Sequence, residues 1–133
     1  MKARTDRRRL SQPLPEGFVP TSVVNVRFEE CDVYVGRRFG RFRSSDGYFG
    51  NPFKGEGSIS RFEEYFFARL EADPDFETRV RSLQGKRLGW WCVPGPCHAQ
   101  TIALWVDYVR LMELGVDPET VRGFGELDPE PEN

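Results

Sequence analysis

The sequence predicts a small single-domain α/β sandwich with a mixed sheet and the element order β-β-α-α-β-α. Three observations predict this fold. Two short segments rich in β-branched residues precede two stretches with helical periodicity, and an almost continuously apolar segment then precedes one more helix. The chain has 133 residues, which is long enough to bury one core and too short for two.

The first two predicted strands lie in the first third of the chain. Residues 22–28 and 32–36 are rich in β-branched side chains and partly alternate between apolar and polar. The polar break between them is short enough for a hairpin, although it lacks the Asn-Gly pair typical of tight hairpin turns. A hairpin is therefore possible here, and the strand directions in the sheet are expected to be mixed.

Two helices are predicted between the second and third strands. The first begins near Ser60, where Ser60 and Glu63 match a capping box. Asp73 and Pro74 end that helix and begin the next, as its N-cap and first residue. Gly85 is a typical C-terminal stop. The inward stripes comprise Phe62, Tyr65, Phe66, Arg69 and Leu70 in the first helix, and Phe76, Val80 and Leu83 in the second.

The third strand is predicted over residues 86–93. Its nearly continuous apolar run is typical of a strand that is covered on both faces at the centre of an α/β sheet. The last long helix is predicted over residues 98–114, with Gly115 beyond its end, and Asp117 and Pro118 begin a short helical turn. The inner stripe of the long helix comprises Ile102, Trp105, Val106, Val109 and Met112.

The chain divides into a disordered basic arm over residues 1–20, an α/β domain over residues 21–116, and a short helical turn with an acidic tail over residues 117–133. A net charge of -2 excludes a polycation that coats nucleic acid. No apolar run approaches the ~20 residues that cross a bilayer, and the basic start lacks the apolar stretch of a secretory signal. Three cysteines without such a signal predict thiols in a reducing cytoplasm.

The loop between the third strand and the last helix carries the residues best suited to reaction chemistry. Cys92 ends the strand, two prolines shape the loop, and Cys97 and His98 open the helix. The positive end of a helix lowers the pKa of a thiol, and an adjacent imidazolium lowers that pKa further. Cys97 and His98 are therefore the candidates for nucleophile and acid–base group.

Two other interpretations of this loop stay open. Cys31, Cys92, Cys97 and His98 could form a Cys₃His zinc site, although adjacent Cys and His ligands are sterically awkward. Alternatively, the cysteines pack as small apolar residues and the prolines only shape the turn. The loop is a poor match to that of a cysteine phosphatase, because its two prolines lack the N–H donors that a phosphate cradle needs.

Arginines and aromatic residues alternate in the long segment after the second strand. Guanidinium groups bind phosphate and aromatic rings stack on bases, so this segment suits a nucleotide or single-stranded nucleic acid. The alternating residues are Arg37, Arg38, Phe39, Arg41, Phe42 and Arg43. Asn51 follows in a turn and could hydrogen-bond a ligand. The alternative is a mobile loop that is anchored by its phenylalanines while the arginines stay solvated.

Five ordered motifs make the chain resemble the domain-of-unknown-function family 4326, which is found in bacteriophages and bacteria. The motifs occupy residues 23–27, 32–37, 50–53, 85–88 and 91–98. The resemblance covers roughly residues 22 to 110. It implies an intracellular, often phage-encoded, small α/β protein and brings no assigned catalytic residues. The family pattern usually has Gly and an acidic residue after the Cys-His pair, where this chain has Ala99 and Gln100.

The resemblance groups residues from separate segments into one set with the Cys-His pair. Strand ends and the long loop are expected to converge on the helix start and form an open crevice there. The candidate ligand-binding residues are Asn25, Arg27, Asp32, Tyr34, Arg37, Arg38, Asn51 and Cys92, and the candidate catalytic residues are Cys97 and His98.

The leading functional hypothesis is the binding of a nucleotide or a nucleic-acid phosphate at the helix start. Arg27, Arg37 and Arg38 would hold the phosphate, Asn51 would orient the ligand, and Cys97 or His98 could act on it. One alternative is a non-catalytic phage or bacterial protein that binds a host protein. Another is a small zinc-binding domain.

Overall fold

The structure is a computed structural model that describes residues 13–37, Phe42, Ser45, 47–91 and 98–120. The basic arm up to residue 12, the acidic tail after residue 120, and Arg38, Cys92 and Cys97 lie outside the described residues. Within the described part, the α/β fold predicted from the sequence is confirmed. No helix in those ranges is both long and apolar enough to cross a membrane.

Three short strands form a sheet in which every pairing is parallel. Strand β1 is Ser22–Asn25, β2 is Val33–Tyr34 and β3 is Arg87–Trp90, in the order β1-β3-β2. The central position expected for the third strand is confirmed. The expected hairpin is wrong, because β1 and β2 pair with opposite sides of β3 and not with each other. The expected mixed strand directions are wrong, because both pairings with β3 are parallel. Because β1 and β2 lie on opposite sides of β3 and run in the same direction, the link between them passes from the carboxyl end of β1 to the amino end of β2 on the other side of β3.

Three α-helices complete the fold. Helix α1 is Ser58–Ala72, α2 is Pro74–Arg81 and α3 is His98–Glu113, and a 3₁₀ turn spans Pro118–Thr120. Helix α3 packs against β1 and β3 and also against α1 and α2, so it lies between the sheet and the other helices. Among the described residues, a cluster of buried apolar side chains joins β3 to the three helices, and partly buried residues of β1 and β2 pack against it.

The observed helix boundaries confirm one predicted capping signal and contradict another. The side chain of Asp73 accepts a hydrogen bond from the N–H of Phe76 at 3.2 Å, so the predicted N-cap of α2 is confirmed. The capping box at Ser60 and Glu63 is wrong, because α1 begins at Ser58 after Gly57, without a side-chain cap. Gly57 has a φ of 78°, a backbone conformation that glycine adopts without steric cost.

The predicted apolar stripes are confirmed where they face the interior. Phe62, Phe66 and Leu70 of α1 and Phe76 and Val80 of α2 are buried. Two details are wrong. Met112, expected on the inner stripe of α3, is 54% exposed. Helix α2 ends at Arg81, and Gly85 lies instead in the turn that leads into β3, with a φ of 82°.

Candidate functional site

The carboxyl ends of all three strands lie at one edge of the sheet, because the strands are parallel. We call this the carboxyl edge and define it by residues 25–28, 34–37 and 90–91 together with His98, the first residue of α3. Ligand sites of α/β proteins are typically built at this edge. We therefore describe the position of each predicted site residue relative to this edge.

His98 is buried at the carboxyl edge. Its side chain is 1% exposed, and its ring packs edge-on against Phe62 and Trp90 with centroid distances of 5.1 Å. Nε2 lies 2.7 Å from the carbonyl oxygen of Val35. Burial lowers the pKa of His98 to about 4, against the opposing effect of hydrogen bonds to the backbone of Val35 and Phe49. The imidazole is thus neutral at pH 7, with Nε2–H donating to Val35.

The expectation of an imidazole lining an open crevice is wrong. His98 joins the first turn of α3 to the end of β2, and the rings of Phe62 and Trp90 cover it. A general acid or base must reach the reacting proton directly or through one water. The sequence pattern could not exclude this burial, because the covering rings come from elements distant along the chain.

Tyr34 and Trp91 join the ends of β2 and β3. The hydroxyl of Tyr34 donates to the carbonyl of Arg37 at 2.7 Å and accepts a hydrogen bond from Nε1 of Trp91 at 3.0 Å. The ring of Phe42 stacks on Tyr34 with a centroid distance of 3.9 Å and meets Trp91 edge-on. We call Tyr34, Phe42 and Trp91 the aromatic cluster; all three side chains are half-buried.

Arg37 and Asn51 hold the long segment after β2. Arg37 donates from Nε to the carbonyl of Asn51 at 2.9 Å and from Nη2 to the carbonyl of Phe53 at 2.8 Å. Asn51 is buried, and its Oδ1 accepts a hydrogen bond from the N–H of Phe53 at 2.9 Å. Through these contacts, both residues fix the conformation of the loop.

The turn after β1 presents two exposed side chains at the carboxyl edge. Oδ1 of Asn25 accepts a hydrogen bond from the N–H of Arg27 at 2.9 Å, and the carbonyl of Asn25 accepts from the N–H groups of Phe28 and Glu29 at 3.0 and 3.1 Å. This geometry fixes the backbone of the turn and leaves Arg27 and Phe28 in solvent. Asn25 therefore organises the turn, while Arg27 is accessible to a ligand.

The structure separates Asp32 from the other candidates. Asp32 precedes β2 and accepts hydrogen bonds at the opposite edge of the sheet from the backbone N–H of Arg87 at 2.8 Å and from its Nη2 at 3.1 Å. The side-chain and backbone hydrogen bonds from Arg87 hold the pKa of Asp32 below its usual value. Asp32 thus fastens the start of β2 to the start of β3.

The proposed zinc ligands cannot be assembled from the part of the chain that the structure describes. Among those residues, no group of three or more His, Cys, Asp or Glu side chains could hold a metal ion. Cys31 is half-buried. It lies against the backbone of Gly89, where a Cβ would come within 2.5 Å of its sulfur. Cys31 is therefore packed against the central strand.

The exposure of Phe28 at this edge and a buried polar network at Asp107 were not predicted from the sequence. Phe28 stood out in the sequence only as an aromatic residue beside two glutamates. Asp107 accepts hydrogen bonds from the N–H of Thr21 at 2.9 Å, from its hydroxyl at 2.7 Å and from Nε2 of Gln84 at 3.0 Å. An aspartate at an inward position of an otherwise apolar helix face was the available signal for that network.

Comparison with known proteins identifies one family model and one phage relative that match this chain. The family model described as Domain of unknown function (DUF4326) matches residues 22–108, from the first residue of β1 into α3. The Uncharacterized 12.4 kDa protein in nrdA-td intergenic region of Enterobacteria phage T4 is 31% identical over 83 residues, which cover 61% of this chain and 72% of the phage protein. No solved structure matches. The family model covers well over half of the chain, and the chain therefore belongs to the DUF4326 family.

Proposed function

We propose that this protein binds a phosphate-bearing ligand, a nucleotide or a nucleic acid, at the carboxyl edge. The observation that carries the proposal is the exposed side chain of Arg27, which lies in the Asn25 turn directly after the carboxyl end of β1. Arginine is suited to this role because its planar fork matches the geometry of phosphate oxygens.

The distribution of charge supports an anionic ligand. Residues 25–43 contain five arginines and three carboxylates. One of those carboxylates, Asp32, is paired with Arg87 at the opposite edge and so does not oppose an anion here. The sequence of this stretch therefore carries an excess of positive charge, which favours an anionic ligand.

The proposal is one of binding. His98 is buried in the core, where it positions the start of α3, and Cys92 and Cys97 lie outside the described residues. Within this proposal, Arg27 contacts the phosphate, while Arg37 and Asn51 fix the loop beside it. Tyr34 orders the same edge through its hydrogen bonds to Arg37 and Trp91.

The experiment compares Arg27→Ala with Arg110→Ala in the full chain. Arg110 is an exposed arginine 12 residues after His98, about 18 Å further along α3. Arg110→Ala therefore changes the net charge by the same amount as Arg27→Ala and leaves the carboxyl edge intact. Isothermal titration with inorganic phosphate, dTMP and a dT₁₀ oligonucleotide measures binding. Arg27→Ala is expected to weaken binding about tenfold, the typical effect of losing a charge-assisted hydrogen bond.

Two results would contradict the proposal. The first is the absence of measurable binding by the wild-type chain for all three probes at low salt. The second is an equal loss of affinity in the Arg27→Ala and Arg110→Ala proteins, because equal losses indicate attraction by net charge without a site. Circular dichroism of both variants checks that the fold is retained.

A further inference from the structure

Phe28 is held in solvent by a fixed backbone. Its side chain is 79% exposed, the highest value among the large apolar side chains that the structure describes. The Asn25 carbonyl accepts a hydrogen bond from the N–H of Phe28, so the backbone is ordered while the ring is not packed. An aromatic ring held outward in this way offers both faces to a planar partner.

A second aromatic surface lies at the same edge. In the aromatic cluster, Phe42 lies on Tyr34 with an interplanar angle of 4°, and Trp91 meets Phe42 edge-on at a centroid distance of 6.2 Å. The hydrogen bond from Trp91 to the Tyr34 hydroxyl fixes the cluster to the ends of β2 and β3. Rings that are half-buried and ordered lose little conformational entropy when a base stacks on them.

The two aromatic surfaces follow the ends of different strands. Phe28 follows β1, and Tyr34 ends β2, with β3 between them. Two strand spacings of about 4.8 Å separate these ends by roughly 10 Å. One base of a mononucleotide cannot occupy both surfaces.

We infer that the ligand of the carboxyl edge is a single strand of nucleic acid at least two nucleotides long, with one base stacked on Phe28 and another on the aromatic cluster. This inference rests on the proposed function. Arg27, the residue before Phe28, contacts the intervening phosphate. Specificity for single strands follows, since the bases of a duplex are already stacked.

Fluorescence anisotropy of labelled dT₁₀ and U₁₀ with the full chain tests the inference. Phe28→Ala is expected to weaken binding about 5- to 150-fold, because stacking of one base on an aromatic ring contributes about 1–3 kcal/mol. Phe28→Trp is expected to retain the wild-type affinity. Phe67→Ala is the matched control, since Phe67 is an exposed phenylalanine well inside α1, and its removal is expected to change affinity less than twofold.

A second test varies the length of the oligonucleotide and compares single strands with a duplex. Unlabelled dT₂ and dT₄ are expected to compete with labelled dT₁₀ progressively better than dTMP does, and a dT₁₀·dA₁₀ duplex is expected to compete at least tenfold less well than dT₁₀. The competition order tests the two-surface geometry separately from the Phe28 variant, and the wild-type chain is sufficient to measure it.

The failures of the inference and of the proposed function are distinguishable. If oligonucleotides bind in an Arg27-dependent way and Phe28→Ala has no effect, or if dTMP or the duplex binds as tightly as dT₁₀, the inference is wrong and the proposed function stands. If neither oligonucleotides nor dTMP bind, both are wrong, and the exposed Phe28 is then better explained as a contact for a protein.

Discussion

Some candidate site residues stabilise the carboxyl edge through hydrogen bonds within the chain, and others are exposed to solvent. His98, Asn51 and Arg37 direct their polar atoms to backbone carbonyls or N–H groups of the chain itself. Arg27 and Phe28 point outward. Buried polar groups need hydrogen-bond partners, so residues of the first kind are required for the shape of the edge even if no ligand touches them.

His98 makes stability depend on pH in a predictable direction. The unfolded histidine binds a proton near pH 6.5, while the folded one stays neutral down to about pH 4. The unfolded state thus binds more protons between these values, so stability falls as pH decreases. We expect the wild-type chain to lose about 2 kcal/mol of unfolding free energy between pH 7 and pH 5 from this residue.

Urea unfolding at pH 7, 6 and 5 measures this loss, and His98→Gln is the comparison. Glutamine can still donate to the Val35 carbonyl but does not titrate in this range. The variant is therefore expected to show a weaker dependence on pH than the wild type, even if it is less stable overall. A wild-type and a variant with the same pH dependence would exclude His98 as the cause.

At the scale of elements, close contacts at glycines determine how the strands meet their neighbours. A Cβ on Gly36 would overlap the ring of Trp90, and a Cβ on Gly89 would come within 2.7 Å of the side chains of Val26 and Cys31. The central strand therefore has glycine where a side chain would push away the segment that follows β1.

The polar network at Asp107 connects β1, the turn before β3, and helix α3. Asp107→Ala would leave the buried Thr21 N–H without its carboxylate partner, and we expect a loss of about 2–4 kcal/mol of unfolding free energy. Asp32→Ala removes an ion pair in which both side chains are substantially exposed and screened by solvent, and we expect a clearly smaller loss than for Asp107→Ala. Chemical denaturation of the two variants gives both values.

The contrast between these two aspartates is informative because each carboxylate accepts hydrogen bonds from both a backbone N–H and a side chain. The two carboxylates differ in burial and in the charge of the donating side chain, which is the Arg87 guanidinium for Asp32 and the neutral groups of Thr21 and Gln84 for Asp107. Equal losses would contradict the expectation that an unpartnered buried group costs more than the loss of an exposed ion pair.

At the scale of the whole molecule, one apolar core joins the sheet to all three helices. The core cluster includes Val35 after β2, Leu88 of β3, and buried residues of each helix, so separating the helices from the central strand would expose this cluster to solvent. Proteins of this size with a single core usually unfold in one cooperative step.

We therefore expect coincident unfolding transitions when far-UV circular dichroism and tryptophan fluorescence are followed in the same urea series. Trp90 packs against this core at the end of β3 and Trp105 packs against it from α3, so fluorescence reports the tertiary contacts while dichroism reports the helices. Midpoints that differ beyond experimental error would show that the sheet and the helices unfold separately.

The sequence by itself determined most of the local structure. The Asp73–Pro74 boundary was predictable because an N-cap and an N1 proline act on neighbouring residues. The central position of β3 was predictable because its apolar run suits a strand covered on both faces. The family could be identified from its ordered motifs, and the family model confirms it.

Only the tertiary structure decided strand pairing and the accessibility of the site. The parallel order β1-β3-β2 depends on contacts between segments more than fifty residues apart, which local patterns do not encode. For the same reason, the sequence could place His98 at a helix start but could not reveal that Phe62 and Trp90 bury it. It could equally not reveal that Asp32 lies at the opposite edge, or that Phe28 faces solvent. Burial is a property of residues brought together from distant parts of the chain, and it separates the structural residues here from those available to a ligand.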